Sequence, residues 1–286
     1  MRIKGTGALK RLSGWHIDAN EMRAVKIQSV KTEAPKVKTL CFEDKLCSTA
    51  KAGQFIMVWV PGVDEIPLSL ASVHGKASTV TVKEVGEATQ MLNRMKQGDV
   101  IGVRGPFGNH FKVIGKEALV IGGGTGTAPL MMLITELVDA HVKTTVIEGA
   151  KTCDELLFMD QLNRLSTSVN VKVHFATEDG SYGIKGVATD AAEKTLSAKQ
   201  FDAIYACGSE GMTRAVYSLA EKHKVPLQAS LERIMLCAMG ICGSCVIGKY
   251  RVCKDGPIFD DAQLKDVANE LGRFKRGFSG EKIAIS

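Results

Sequence analysis

Residues 118–134 read ALVIGGGTGTAPLMMLI, a short apolar run, then Gly122, Gly123, Gly124, Thr125 and Gly126, then an apolar segment at helical spacing. A buried strand, a tight glycine turn and an amphipathic helix account for all three parts. Pro129 falls near the start of the helix, where its missing N–H costs little. Glycines in such a turn let a phosphate approach the backbone, and the helix N-terminus supplies unpaired N–H groups and a favourable dipole. A purely structural connection has the same glycines, so the turn alone leaves both readings open.

The same texture extends on both sides of that stretch. KTTVIEGA, NVKVHFAT, FDAIYACG and PLQASLE read as further strands, and CDELLFMDQLNRL, GVATDAAEKTL and MTRAVYSLAEKH as helices between them. Regular alternation of this kind predicts a doubly wound parallel sheet over residues 115–228. The turn ACGSEGM puts Cys207 and Gly208 at the same carboxyl edge as the first glycine turn. Cys207 is either a buried strand-end thiol or part of a ligand site. Glu148, ending the second strand, either accepts a ribose hydroxyl, favouring NAD over NADP, or is an exposed loop carboxylate.

Upstream the pattern changes. AVKIQSV, VKTLCFE, QFIMVWV, LSLASV, STVTVKEV and DVIGVRG are short β-type runs punctuated by Pro61-Gly62 and Gly105-Pro106. They predict a small Greek-key β-barrel over residues 23–114, interrupted by one helix from Thr89 to Lys96. Residues 1–22 have no place in this plan and read as an extension or a capping strand.

Downstream, residues 229–286 are poor in core formers and carry four of the eight cysteines. A small segment of this kind needs a staple. The run CAMGICGSCVIGKYRVC sets Cys237, Cys242, Cys245 and Cys253 at C-x4-C-x2-C-x7-C spacing. The first two spacings match the plant-type [2Fe–2S] pattern, in which a tight loop delivers three thiolates and a fourth arrives from further on. Gly240 and Gly243 fall between the ligands, where backbone N–H groups must turn toward sulfur. Structural zinc also accepts four cysteines, though zinc ribbons usually show two C-x2-C pairs. Unliganded thiols are the remaining alternative. Cys41, Cys47 and Cys153 are scattered, as is Cys207, and isolated cysteines are usually small buried hydrophobes.

The 286 residues suffice for two domains and an appendage, and 45% hydrophobic with 24% charged residues describes an ordinary soluble chain. A net charge of +6 is modest, and no basic stripe with interleaved aromatics supports nucleic-acid binding. The N-terminus is charged and broken by glycine, and no run approaches the ~20 apolar residues that span a bilayer. No membrane association is expected, and the cytoplasm is the expected location. His16, His74, His110, His141, His174 and His223 show no ligand spacing.

The order of barrel, GGGTGTAP domain and cysteine cluster resembles the ferredoxin–NADP reductase superfamily. Within it, LCAMGICGSCVIGKYRVCKDGPIF, TEDGSYGIKG and GGGTGTAPL are similar to the hallmarks of the electron-transfer subunits of dihydroorotate dehydrogenase type B, from about Met22 to Gly280. The resemblance implies FAD on the barrel, at Pro67, Leu68 and Ser69 of an R-P-x-S segment whose arginine is replaced by Ile66. It also implies FAD contacts at the flanking strand Thr81, Val82 and Lys83, and at the turn Gly86-Glu87-Ala88-Thr89, carried by Gly86, Ala88 and Thr89. NAD is implied at Gly122–Gly126 and at Cys207-Gly208, and the [2Fe–2S] cluster on the four clustered cysteines. The implied oxidoreductase has no catalytic acid or base of its own. It passes electrons from an FMN-containing dihydroorotate dehydrogenase catalytic subunit through the cluster and FAD to NAD, in a heterotetramer serving pyrimidine biosynthesis. Two rivals stand beside it. One is the small subunit of an NADPH-linked ferredoxin or sulfide oxidoreductase, whose first cluster ligand is often aspartate. The other is a zinc-stapled nucleotide-binding regulator.

Overall fold

The computed structural model describes residues 18–277 and 279–285. The expectation for residues 1–22 therefore lies mostly outside the described residues, apart from a 3-10 turn at Asp18–Asn20.

Six antiparallel strands come first: β1 (Arg23–Ala34), β2 (Val37–Glu43), β3 (Phe55–Val60), β4 (Asp64–His74), β5 (Ala77–Lys83) and β6 (Val100–Phe107). They close into a barrel in the order β1-β2-β5-β4-β3-β6, which leaves no free edge. Alternation does the sorting. Leu40, Phe42, Ile56, Val58, Leu70, Val80, Ile101 and Val103 are fully buried inside. Helix α1 (Glu87–Arg94) covers one side through Leu92 and stops at Met95, which returns to extended backbone.

The second unit is a seven-stranded sheet. β7 (Glu117–Gly123), β8 (Lys143–Ala150), β9 (Val171–Thr177), β10 (Ile184–Lys185), β11 (Ala203–Cys207) and β12 (Leu227–Ser230) are parallel, in the order β10-β9-β8-β7-β11-β12. Helices α2 (Thr127–Asp139), α3 (Met159–Leu165), α4 (Ala188–Ala198) and α5 (Glu210–His223) alternate with the strands. α2 is apolar nearly all round because it is wedged between sheet and barrel, with Ala128, Leu130, Leu133, Ile134 and Leu137 buried.

Two elements depart from the sequence reading. CDELLFMDQLNRL is not one helix: Phe158 takes φ 57°, separating a 3-10 turn at Cys153–Glu155 from α3. Leu156, Leu157 and Phe158 are all buried, and three consecutive residues cannot share one face of a helix. The C-terminal segment is also more than an appendage. After a two-stranded ribbon, β13 (Val246–Ile247) and β14 (Tyr250–Arg251), and the turn α6 (Val252–Asp255), β15 (Ile258–Asp260) pairs antiparallel with β12 and becomes the edge of the sheet. α7 (Asp261–Val267) and a hairpin of β16 (Phe274–Arg276) with β17 (Lys282–Ala284) follow.

Candidate functional site

The barrel meets the carboxyl edge of the parallel sheet along a cleft with two adjoining lobes. The first, about 410 Å³, lies against the barrel and is walled by Ile66, Pro67, Leu68, Ser69, Thr81 and Lys83, with Thr125 and Pro129 from the glycine turn and its helix. The second, about 550 Å³, lies over the sheet edge, with Gly123–Gly126 at its centre, Gly208 on one side and Gly149–Lys151 on the other. Lys83, Thr125 and Glu232 line both, so whatever fills one lobe borders what fills the other.

The glycines make this approach possible. Gly126 rests on the next strand's turn: a Cβ there would lie 2.6 Å from the backbone of Cys207 and Gly208. Gly123 and Gly208 both adjoin the sulfur of Met212, and Gly124 has φ +54°. The two turns flagged in the sequence are therefore one packed unit. Within it Gly208 faces the lobe, whereas Cys207 is 1% exposed and its thiol is pushed up by burial and by nearby Glu232. Cys207 can reach a ligand only through its backbone. The same holds for Val82, which points into the barrel core, while Thr81 and Lys83 face the cleft.

At the start of α1 the Thr89 hydroxyl is already committed. It donates to Gly86 O and accepts from the N–H groups of Val85 and Gly86, each at 2.8 Å. Thr89 thus builds the turn rather than offering its hydroxyl to a ligand. The first-turn N–H groups of Glu87, Ala88 and Thr89 have no side-chain cap and remain for an anion. Ile66 contributes only apolar surface. The nearest available cation is Lys83, since Arg233, which also lines the first lobe, is paired to Glu210. Lys83 lies 3.6 Å from Glu155 with both side chains nearly half exposed, a pair too weak to hold it.

Glu148 requires a correction. It is neither an exposed loop carboxylate nor at the cleft: it is fully buried beneath the glycine turn, bonded to the Thr127 hydroxyl and, at 3.4 Å, to the N–H of Leu157. Gly122 makes room for it, because a Cβ there would lie 2.9 Å from a Glu148 oxygen. Desolvation pushes this carboxyl up to about 8.

The cysteine loop begins where the first lobe ends. Leu231, Glu232, Arg233 and Met235 wall that lobe, and Cys237 follows two residues later. Ala238, Gly240 and Gly243 take positive φ, which coils the loop tightly. The N–H groups of Met239 and Ile241 point to Cys237 Sγ at 3.4 Å, Gly240 N–H to Cys253 Sγ at 3.2 Å, and Cys253 N–H to Cys245 Sγ at 3.4 Å. Burial raises the Cys237 thiol, but backbone donors outweigh it and bring the group down to about 7. Cys245, hydrogen-bonded to Cys253, is also lowered to about 7, and Cys253 is pushed up in consequence. A loop whose N–H groups converge on sulfur favours thiolates, as an iron–sulfur cluster requires. Among the described residues, no three His, Cys, Asp or Glu side chains converge as a single-ion site would need.

Residues 232–265 match the iron-sulfur cluster binding domain of dihydroorotate dehydrogenase B, and residues 120–218 match the oxidoreductase NAD-binding domain. The probable dihydroorotate dehydrogenase B (NAD(+)) electron transfer subunit of Methanocaldococcus jannaschii is 39% identical over 260 residues, covering 90% of this chain and 96% of the relative. Its counterpart in Archaeoglobus fulgidus is 42% identical over 246 residues, covering 85% and 99%. The chain belongs to the family of dihydroorotate dehydrogenase B electron-transfer subunits. Among solved structures, an NADH-dependent reduced ferredoxin-NADP oxidoreductase aligns with TM-score 0.75 and 30% identity, over 86% of this chain and 93% of the other. The FAD/NAD-binding domain of a Vibrio cholerae nitric oxide dioxygenase, at 20% identity, TM-score 0.62 and coverage of 71% and 94%, shares the fold. The two family models name an iron-sulfur cluster and NAD, and the cysteine loop and the second lobe fit them. Sequence reasoning passed over Glu232, Arg233 and Met235, which follow a strand end at the same carboxyl edge. It also passed over Lys151 and Glu178 on the second lobe. Position after a strand was the available signal in each case.

Proposed function

We propose that this chain takes electrons from an FMN-containing catalytic subunit that oxidises dihydroorotate, and delivers them to NAD in pyrimidine biosynthesis. The observation that carries this reading is continuity. The segment 231–235 walls the first lobe and runs straight into Cys237, while Lys83, Thr125 and Glu232 join that lobe to the second. FAD, when bound, supplies the exchange between one-electron and two-electron chemistry. The chain's own residues position and insulate.

In this reading Cys237, Cys242, Cys245 and Cys253 hold the cluster. Pro67, Leu68, Ser69 and Thr81 seat the flavin, with Lys83 and the turn at Gly86, Ala88 and Thr89 facing its pyrophosphate. Gly123–Gly126 and Gly208 receive the nicotinamide nucleotide, while Gly122 faces the buried Glu148. Lys83 provides the charge that Ile66 lacks. Leu236, just before the cluster loop, and Ile241, within it, are 47% and 63% exposed and offer an apolar contact for the catalytic subunit in a heterotetramer. No disulfide joins any of the eight cysteines, which suits the reducing cytoplasm. No described helix is long and apolar enough to cross a membrane.

The solved ferredoxin-NADP oxidoreductase gives the second reading its support, because it aligns over nearly the same span. Cys237 at the first ligand position argues for the dihydroorotate subunit. The test is to purify the chain with its catalytic partner and follow NAD reduction. Dihydroorotate-dependent NADH formation that is lost in Cys245→Ser, together with its iron and acid-labile sulfide, is the expected result. Reduction of the nucleotide by reduced ferredoxin alone, with none from dihydroorotate, overturns the proposal.

A further inference from the structure

The stretch between Cys245 and Cys253 is not a slack spacer. It forms the ribbon of β13 and β14, and the segment after it grips the tip. Gly248 N–H donates to Glu270 at 2.9 Å, and the Tyr250 hydroxyl donates to Asp266 at 2.6 Å. Arg251, the last residue of β14, is held at its base by Asp255. That carboxylate accepts from the Arg251 backbone N–H at 2.8 Å and from its Nε at 3.4 Å. The guanidinium then reaches back to the cysteine loop, where Nη1 donates to Gly240 O at 3.1 Å.

Gly240 is held on three sides by this short stretch. Its N–H donates to Cys253 Sγ at 3.2 Å, and its carbonyl takes the bond from Arg251. Its α-carbon rests on the stem of Lys254, which a Cβ would meet at 2.7 Å. Its φ of +73° is one that glycine adopts freely. The carbonyl matters most, because it shares one peptide plane with the N–H of Ile241. That N–H is directed at Cys237 Sγ, 3.4 Å away. A guanidinium on the oxygen polarises the peptide and strengthens donation at its other end. It also fixes the direction in which the N–H points.

Hydrogen bonds to sulfur and net charge set the reduction potential of an iron–sulfur cluster. An added electron increases the negative charge on the sulfurs, so a stronger donor favours the reduced form. The bare charge of Arg251 is a weak lever: its side chain is 39% exposed and paired with Asp255. The bond directed through the peptide is not screened in that way. Lys254 is the internal comparison, an exposed cation that touches the same glycine with its stem.

We propose that Arg251 is a positioning residue of the cluster. Through the peptide joining Gly240 to Ile241 it aims and strengthens the N–H bond to Cys237 Sγ, which raises the reduction potential. The cluster is thereby the readier acceptor of electrons from the catalytic subunit. This rests on the reading of the four cysteines as the [2Fe–2S] site.

The test is an EPR-monitored redox titration of the full chain carrying its flavin and cluster. Iron and acid-labile sulfide are measured on the same samples. Arg251→Met keeps the reach of the side chain and removes its donors and charge. It is expected to shift the cluster's reduction equilibrium at least tenfold toward the oxidised form, a fall of about 59 mV for one electron. Iron and sulfide stay at the wild-type level. Arg251→Lys keeps the charge without the fork, and its potential falls by less, while Lys254→Met moves least. An unmoved potential in Arg251→Met overturns the proposal. So does an equal shift in Lys254→Met, because charge alone then explains both. If only Arg251→Lys retains its cluster, an unmoved potential in that variant overturns the proposal in the same way. Loss of the cluster from both arginine variants makes Arg251 a structural brace and overturns it too. A wild-type chain that holds no iron or sulfide overturns the reading of the loop itself, and the role of Arg251 falls with it.

Discussion

Glu148 is a carboxyl placed where water cannot reach it, and its neighbours are a threonine hydroxyl and one N–H rather than a cation. With no positive charge to offset desolvation, the neutral acid is the stable form, and the group is pushed up to about 8 from 4.5. The folded chain therefore holds a proton that the unfolded chain has released over that interval. Stability from this site is complete below pH 4.5 and is lost as pH rises toward 8, by up to about 1.4 kcal/mol per pH unit. Glu148→Gln keeps the shape and removes the proton. Urea unfolding at pH 5, 6.5 and 8 is expected to show a downward slope in wild type that is flatter in the variant, with the variant the more stable at pH 8. Equal slopes would show that Glu148 keeps its charge inside the fold.

At the scale of elements, what carried local periodicity was legible and what depended on packing was not. AVKIQSV through DVIGVRG are short β-type runs set off by turn residues, and each became a barrel strand, although β3 is apolar throughout and buried on both faces except at Trp59. The glycine turn was legible for a similar reason, since a strand, a turn and a helix must follow one another there. The direction of Glu148 was not, because facing the cleft or the turn's underside depends on the space that Gly122 leaves. Nor was β15: IFD is too short to signal a strand and pairs only because β12 has an open edge. The two turns approach tightly where Gly126 of the first faces the Cys207–Gly208 peptide of the other, leaving no room for a Cβ. Gly126 has φ −63°, so its backbone suits alanine and the obstacle is space. Gly126→Ala is expected to cost ~2 kcal/mol by overpacking. It should also weaken NADH binding, as the two turns separate, while iron and sulfide content stays at the wild-type level. Nucleotide titration beside metal analysis separates the two effects. An unaltered affinity would mean that the turns need not touch.

Over the whole molecule, three parts are bound together around the cleft by a few specific ties. Asn109, just past the barrel, donates to Ile258 O at 2.7 Å and accepts from Ile258 N–H at 2.9 Å, which ties the barrel's exit to β15. On the opposite side Arg233 is the tie. Its side chain is 1% exposed and pairs with Glu210, at the start of α5, and Glu210 also accepts from Gly272 N–H at 3.0 Å. A further contact runs from Arg233 to Phe274 O in the C-terminal hairpin, at 3.4 Å. Glu210 and Arg233 thus fix the segment 231–235 that walls the first lobe and leads into Cys237. Removing one member of a buried ion pair strands the other charge, at a cost of ~3 kcal/mol or more, whereas replacing both with apolar residues is often neutral. Glu210→Met and Arg233→Met should each lower the midpoint of thermal unfolding and loosen the retained flavin. The double variant should recover most of the stability. If it recovers the flavin as well, the pair acts by holding segment 231–235 in place. A double variant that is stable yet still sheds flavin would instead make Arg233 a direct contact of the cofactor, and visible absorbance after gel filtration distinguishes the two.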